Sequence, residues 1–343
     1  MPEGVEIRKF ADILIHNLVG HSILNVNILK GRYTKKAFDG YRTIVNMLPV
    51  KVISIKCKGK MTYIELQSGK SGGKTVWLMS TLGLTGGWTV AAKEKKELHG
   101  ERRLRYMKKS LEGADADADA GAGADADAGA GMVFAYPVIW EYISNNNANE
   151  WFESALNHLN VEFVMDTGIM GYFYDQLSFG TLKLIETRTE LEKKLKEFGA
   201  DMLDETTSLE VFKKAVRKGN NKEKKIGNVL VNQKVISGIG NYLRADGLWL
   251  ARISPFRKVG ELSDKELETI YNCFRALMWG DYAPDEARKK GYIGGDFKIP
   301  HDYKREFFIY RQETDIEGRK VVKEKLYEGT QKRYIYWIPE IQV

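Results

Sequence analysis

Cysteine is nearly absent from this chain: 343 residues contain only Cys57 and Cys273. That excludes a disulfide scaffold. Histidine is also scarce, at five residues, and no Cys or His pair has the CxxC or HxxxH spacing of a structural zinc site. We therefore expect no metal. No apolar run approaches the ~18 residues that a membrane span requires. The start, Met1-Pro-Glu-Gly-Val-Glu6, carries early acids and no apolar stretch like that of a signal peptide. These absences point to a soluble intracellular protein with no organic or metal cofactor.

What is present is a hydrophobic content of 43%, enough for true cores, over a length suited to about two domains. The formal net charge is +7 and is unevenly spread. Residues 113–131 contain only Gly, Ala and Asp, and removing their five acids raises the balance from +7 to +12. Such a segment has nothing to bury and reads as a disordered insertion. Residues 211–260 hold twelve Lys and Arg against two acids. A solvated helix face usually mixes signs, so this excess reads as a polyanion footprint.

Periodicity divides the rest. Ile7, Phe10, Ala11, Leu14 and Leu18 recur at helical spacing, and Gly20 follows as a stop. From about 22 to 90 the pattern is β-like, as in Val50-Lys-Val-Ile-Ser-Ile-Lys, Met61-Thr-Tyr-Ile-Glu-Leu and Val76-Trp-Leu-Met. Residues 93–157 break the rhythm, and strands resume at Val161, Gly171 and Thr181. From about 187 the pattern is helical, with a glycine turn at Ser237-Gly-Ile-Gly-Asn241. A Ser263/Glu266 capping box opens a helix that Gly280 is expected to close. Strands are expected again at Phe307-Phe-Ile-Tyr, Val321 to Tyr327 and Tyr334-Ile-Tyr-Trp. The expected fold class is α+β. An N-terminal helix and two-layer β-sandwich domain (1–186, with the 93–157 insertion) precedes a helical domain (187–298) and a C-terminal β-hairpin (299–343).

Pro2 is the first candidate for chemistry. Removal of Met1 would leave a secondary amine whose pKa, about 8, lies below that of lysine. Such an amine can attack a carbonyl-like carbon and form an iminium. Many proteins simply begin Met-Pro. Glu3 beside it can move protons, whereas Glu6 is better read as charge complementing a helix start. Lys60, in the tight turn Lys56-Cys-Lys-Gly-Lys60, is either solvated surface or a phosphate ligand. The glycine turn at 237–241 allows close approach of a phosphate to the N–H groups of the next helix, or serves as a C-cap. Arg333 lies near the tip of the last hairpin and suits bidentate phosphate contact.

Together, and in this order, these segments resemble the formamidopyrimidine/endonuclease VIII DNA glycosylases. Met1-Pro-Glu-Gly-Val-Glu6 is similar to the family's Met-Pro-Glu-Gly-Pro-Glu start. Lys58-Gly-Lys60 matches its β-domain lysine motif, and Gly83-Leu-Thr-Gly86 resembles its Gly-Met-Ser-Gly turn. Asn232-Gln-Lys-Val-Ile-Ser-Gly-Ile-Gly-Asn-Tyr-Leu-Arg-Ala-Asp246 resembles the helix-two-turns-helix signature, and Lys332-Arg-Tyr-Ile-Tyr-Trp337 the tip of the terminal finger. The resemblance spans nearly all of the chain except 93–157. In its missing cysteines it resembles the zincless-finger branch known from vertebrates and giant viruses.

The resemblance implies a bifunctional glycosylase and abasic-site lyase. Pro2 would attack the sugar C1′ of a damaged nucleotide, Glu3 would transfer protons, and β,δ-elimination would cut the strand. Lys60, Lys234, Asn241 and Arg333 match phosphate-gripping positions. Leu84 and Phe179 match wedges that fill the gap left by an extruded nucleotide. Leu177 stands where the family often has Arg, which implies weak discrimination of the opposite base. Val5 replaces a proline and is expected to affect only local rigidity. Asp246 replaces the usual Glu and shortens that acid's reach. The lesion-contacting loop is expected within 281–300, with Tyr282, Arg288, Lys289 and Tyr292 as candidates. Implied substrates are oxidised pyrimidines and hydantoins. The implied partner is damaged double-stranded DNA, with single-stranded DNA left open, bound by a monomer in a nucleus or, for a viral protein, a virus factory or virion. Rival readings are a non-catalytic DNA-binding protein on the same scaffold and an N-terminal-proline tautomerase, whose chains are far shorter.

Overall fold

The computed structural model describes residues 2–70, 73–100, 104–109, 131–137, 147–301, 303, 305–328 and 331–343. Helix α1 (Gly4–Leu18) is buried on nearly every side. Its two faces serve different cores. Ile7, Phe10, Leu14 and Leu18 pack with the sheet, while Val5 is fully buried among the helices. Val5 therefore packs the helical core, a larger role than the local rigidity expected of it.

Ten strands follow: β1 (Ser22–Ile28), β2 (Val50–Lys58), β3 (Met61–Ser68), β4 (Thr75–Thr81), β5 (Gly87–Ala92), β6 (Leu104–Lys109), β7 (Met132–Pro137), β8 (Leu159–Met165), β9 (Met170–Tyr174) and β10 (Thr181–Ile185). They form one sheet in the order β10-β4-β3-β2-β1-β8-β9-β5-β7-β6. Alternation is plain in β2, where Val50 and Val52 are buried and Lys51 is exposed. The two halves of the sheet share one core, in which Val50, Val52 and Ile64 join Trp88, Phe134, Phe163 and Tyr172. This is the expected β-sandwich. Short helices α2 (Tyr41–Met47) and α3 (Asn147–Leu156) lie in its connections.

Residues 93–157 are more than an interruption. β6 and β7 lie within them, and β7 pairs with β5 through Val90↔Ala135, so the sheet continues there. The β-rich side chains Val133, Phe134 and Tyr136 explain the pairing, and the low-complexity composition beside them hid it. Residues 113–130 of the Gly/Ala/Asp repeat lie outside the described residues.

The helical part comprises α4 (Arg188–Leu195), α5 (Leu209–Val216), α6 (Ile226–Val231), α7 (Asn241–Leu250), α8 (Asp264–Tyr282) and α9 (Pro284–Lys289). A short parallel pair, β11 (Ala200–Asp201) with β12 (Ile236–Ser237), crosses between them. Helix α8 opens on the expected capping box, Glu266 N–H to Ser263 Oγ at 3.2 Å and Ser263 N–H to Glu266 Oε2 at 2.7 Å. It does not end at Gly280. That glycine admits Ile299, and the helix ends before Ala283, whose position ahead of Pro284 disfavours helical geometry.

The chain closes with β13 (Ile293–Gly294), β14 (Phe297–Lys298) and the hairpin β15 (Val322–Glu328) with β16 (Gln331–Trp337). Phe307–Tyr310, expected as a strand, is irregular. Its amides explain why: the N–H groups of Ile309 and Tyr310 donate to the Asp246 carboxylate at 3.0 and 3.1 Å instead of to a neighbouring strand. Ile309, Leu326, Ile335 and Ile338 form a separate small core with Ala245 and Trp249 of α7.

Candidate active site

Three segments distant in sequence converge where α1 begins. Gly4 N–H donates to the Gly238 carbonyl at 2.8 Å, pinning the N-terminus to the glycine turn. The β2–β3 turn arrives from the other side. Gly59, in the left-handed region at φ +56, donates its N–H to buried Asp201 at 2.7 Å, and a Cβ there would lie 2.5 Å from Ser237 Cβ. This docking carries Lys60 to the site. A Cβ on Gly240 would collide with both the Glu3 carboxylate and the Lys60 ammonium, so any side chain there would have to displace one of them.

The start of α7 was expected to offer free N–H groups to a phosphate. The structure gives them to Glu3. Its carboxylate accepts from the amides of Gly240 at 2.6 Å, Tyr242 at 3.1 Å and Leu243 at 3.3 Å. An acid at a helix N-terminus is favourable, and here it fixes Glu3 beside Pro2, which is itself buried. Burial still dominates the titration of Glu3 and raises it, with Lys60 and the three amides opposing. Lys60 is lowered by burial, against the pull of Glu3 and Glu6.

Glu6 does serve the helix start, and more. It accepts the Glu3 N–H at 2.6 Å and the Tyr242 hydroxyl at 2.6 and 2.7 Å. Burial and the neighbouring Asp281 push it up to about 7. Asp281 in turn holds Lys9 at 2.8 Å, tying α1 to α8.

Asn241 opens α7, and its Oδ1 accepts from Arg244 at 3.4 Å. The buried Arg244 also donates to the Tyr334 carbonyl of β16 at 2.9 Å, joining the terminal hairpin to this helix. Arg333 is exposed on β16, opposite Leu326, and its charge is felt by Lys60. Lys234 is exposed in the turn that leads into β12. The site is therefore an acid–base cluster of Glu3, Glu6 and Lys60 beside a buried Pro2, with Arg244 and Arg333 close enough for their charges to act on Lys60.

Models described as the formamidopyrimidine-DNA glycosylase N-terminal domain, H2TH domain and C-terminal domain match residues 1–117, 198–280 and 298–343. The chain belongs to this DNA glycosylase family. A formamidopyrimidine-DNA glycosylase of Corynebacterium glutamicum is 23% identical over 281 residues, 81% of this chain and 77% of that one. One from Ureaplasma parvum is 34% identical over 122 residues, 35% of this chain and 42% of that one. The fold is similar to that of the Lactococcus lactis enzyme solved with DNA containing an oxidized pyrimidine (19% identity, TM-score 0.62) or an abasic site (18%, 0.61), each covering 99% of both chains.

In this glycosylase the wedge candidates Leu84, Leu177 and Phe179 are exposed by 42%, 49% and 58%. They stand on the turn between β4 and β5 and on the turn between β9 and β10. The expected lesion loop is largely regular structure. Pro284 at the helix start, acids in the first turn and bases in the last favour α9. Tyr282 and Tyr292 pack on Trp279 at 5.9 and 5.8 Å, Arg288 is held by Asp285 and the Pro300 carbonyl, and Lys289 pairs with Glu286 at 2.9 Å. Asp246 reaches its partners despite its length. It accepts from Arg305 at 2.7 Å as well as from Ile309 and Tyr310, and the guanidinium lies over Tyr242, Phe307 and Phe308. Tyr242, Arg244 and Arg305 carried no separable signal in the sequence, since each acts through a distant partner.

Proposed function

We propose that this glycosylase is a bifunctional base-excision enzyme whose nucleophile is the amine of Pro2. In the chain as translated that nitrogen is an amide bonded to Met1 and cannot attack, so processing is a precondition. Once freed, it attacks C1′ of the damaged nucleotide. The base leaves, the sugar remains on Pro2 as a Schiff base, and β- and δ-elimination release it with strand scission. The observation that carries this reading is the fixing of Glu3 beside Pro2 by the amides of Gly240, Tyr242 and Leu243, with Lys60 against the same Gly240. An acid raised by burial keeps its proton to higher pH than an ordinary carboxyl and can pass it on.

Damaged duplex DNA is the proposed partner, gripped at phosphates by Lys60, Lys234, Asn241 and Arg333 and stacked against Leu84, Leu177 and Phe179. The finger is proposed to need no zinc, because Ile309, Leu326 and Ile335 pack it against Trp249 of α7 in an apolar core. Oxidised pyrimidines and hydantoins are the proposed lesions. Leucine at 177 cannot hydrogen-bond the orphaned base, so little preference for the opposite base is expected. The test is excision of thymine glycol from a duplex by the processed protein and by Pro2→Gly. The expected result is retained binding with slowed excision. Equal excision by both would remove Pro2 from the chemistry.

A further inference from the structure

Asp175 takes no part in the chemistry above, yet it is buried and held by three hydrogen-bond donors. Its Oδ1 accepts the Thr85 hydroxyl at 2.8 Å and the Leu177 N–H at 3.3 Å, and its Oδ2 accepts the Gly180 N–H at 2.5 Å. The Leu177 N–H also reaches Thr85 Oγ1 at 3.0 Å, so the threonine hydroxyl both donates and accepts. Two turns separated by some 90 residues in sequence are thereby joined through one carboxylate.

The backbone between them is tight. Gly83 and Ser178 both lie in the left-handed region, at φ +58 and +57. A Cβ on Gly83 would lie 2.7 Å from the Gly180 nitrogen and from the Phe179 carbonyl carbon. From the far side Arg32 donates to the carbonyls of Ser178, at 3.2 Å, and Gly180. These contacts surround three exposed apolar side chains, Leu84, Leu177 and Phe179. Apolar groups left in water are held in fixed directions only when something outside their own packing holds them.

We infer that Asp175, acting with Thr85, is a positioning residue that fixes Leu84, Leu177 and Phe179 as one rigid wedge for duplex DNA. This rests on the wedge assignment in the proposed function. A wedge must enter the gap that an extruded nucleotide leaves in a stack, and a pre-ordered one loses less conformational entropy on entry. Single-stranded DNA offers no such gap. The residue therefore matters for one form of the substrate and not for the other.

The test compares Thr85→Val, Asp175→Asn and Thr85→Ser with the unaltered sequence, each as full-length processed protein. Single-turnover excision of thymine glycol is measured from a duplex and from the same strand alone. Thr85→Val and Asp175→Asn should slow duplex excision roughly tenfold or more and leave single-strand excision unchanged, while Thr85→Ser restores the duplex rate. In parallel, binding to a duplex with a tetrahydrofuran site opposite 2-aminopurine reports wedge entry without chemistry. The fluorescence change should persist in Thr85→Ser and vanish in the other two. Equal slowing on both DNA forms would make Asp175 a general support of the fold and overturn the inference. So would an undiminished duplex rate or fluorescence change in Asp175→Asn. If the unaltered protein excises from neither substrate but the fluorescence pattern holds, the excision reading fails and the wedge inference stands.

Discussion

At the scale of single residues, the buried acids at the start of α1 set a pH dependence whose sign is fixed. Burial and Asp281 push Glu6 up to about 7 in the folded protein, above an unfolded carboxyl. Its stabilising contribution is complete below the ordinary carboxylate range and is lost as pH rises toward 7, at no more than about 1.4 kcal/mol per pH unit. Glu6→Gln removes that loss. The Tm difference between the two proteins should shift toward the variant from about pH 5 to about pH 7.5 and stay level above that. A difference independent of pH would place Glu6 outside this account. Gly240→Ala tests the neighbouring contact. Its methyl group would displace Glu3 or Lys60, so excision should fall at least about tenfold, while thermal unfolding shows a folded protein. Pro2, Glu3 and Lys60 stood out as candidates because each sits in a short motif of the sequence. Tyr242 did not, because its hydroxyl meets Glu6 across 236 residues of sequence.

At the scale of elements, the link between α7 and the finger depends on Asp246 and Arg305. Asp246→Ala leaves a buried guanidinium without its carboxylate and two amides without an acceptor. A loss of about 3–5 kcal/mol is expected by denaturant unfolding, with faster hydrogen exchange at Ile309 and Tyr310. Protected amides there would contradict the role given to this acid. The same contacts explain where the periodicity of the sequence misled. Phe307-Phe-Ile-Tyr has strand composition, but its N–H groups go to a carboxylate. Gly280 looks like a helix stop, but it serves close packing against Ile299. Helix starts with side-chain caps, such as Ser263 before α8, were readable because their donors and acceptors lie within four residues.

At the scale of the molecule, one sheet, one helical core and one finger core bring cations from separate elements around a single terminus. Arg333 is exposed at the finger, and if it contacts phosphate its loss should reduce the salt slope of DNA binding by about one, with a similar weakening across sequences. An unchanged slope for Arg333→Ala would remove it from the phosphate set. The overall order of helix, sandwich, helices and hairpin was legible from composition and motif order. The continuation of the sheet through β6 and β7 was not, because the Gly/Ala/Asp repeat separates the two strands in sequence. The central claim concerns Pro2, and borohydride trapping tests it most directly. The processed protein is incubated with a thymine glycol duplex, reduced, digested and analysed by peptide mass. The account predicts a DNA adduct on residue 2 and none when Met1 is retained. An adduct on Lys60 or another lysine, with Pro2 unmodified, would contradict it.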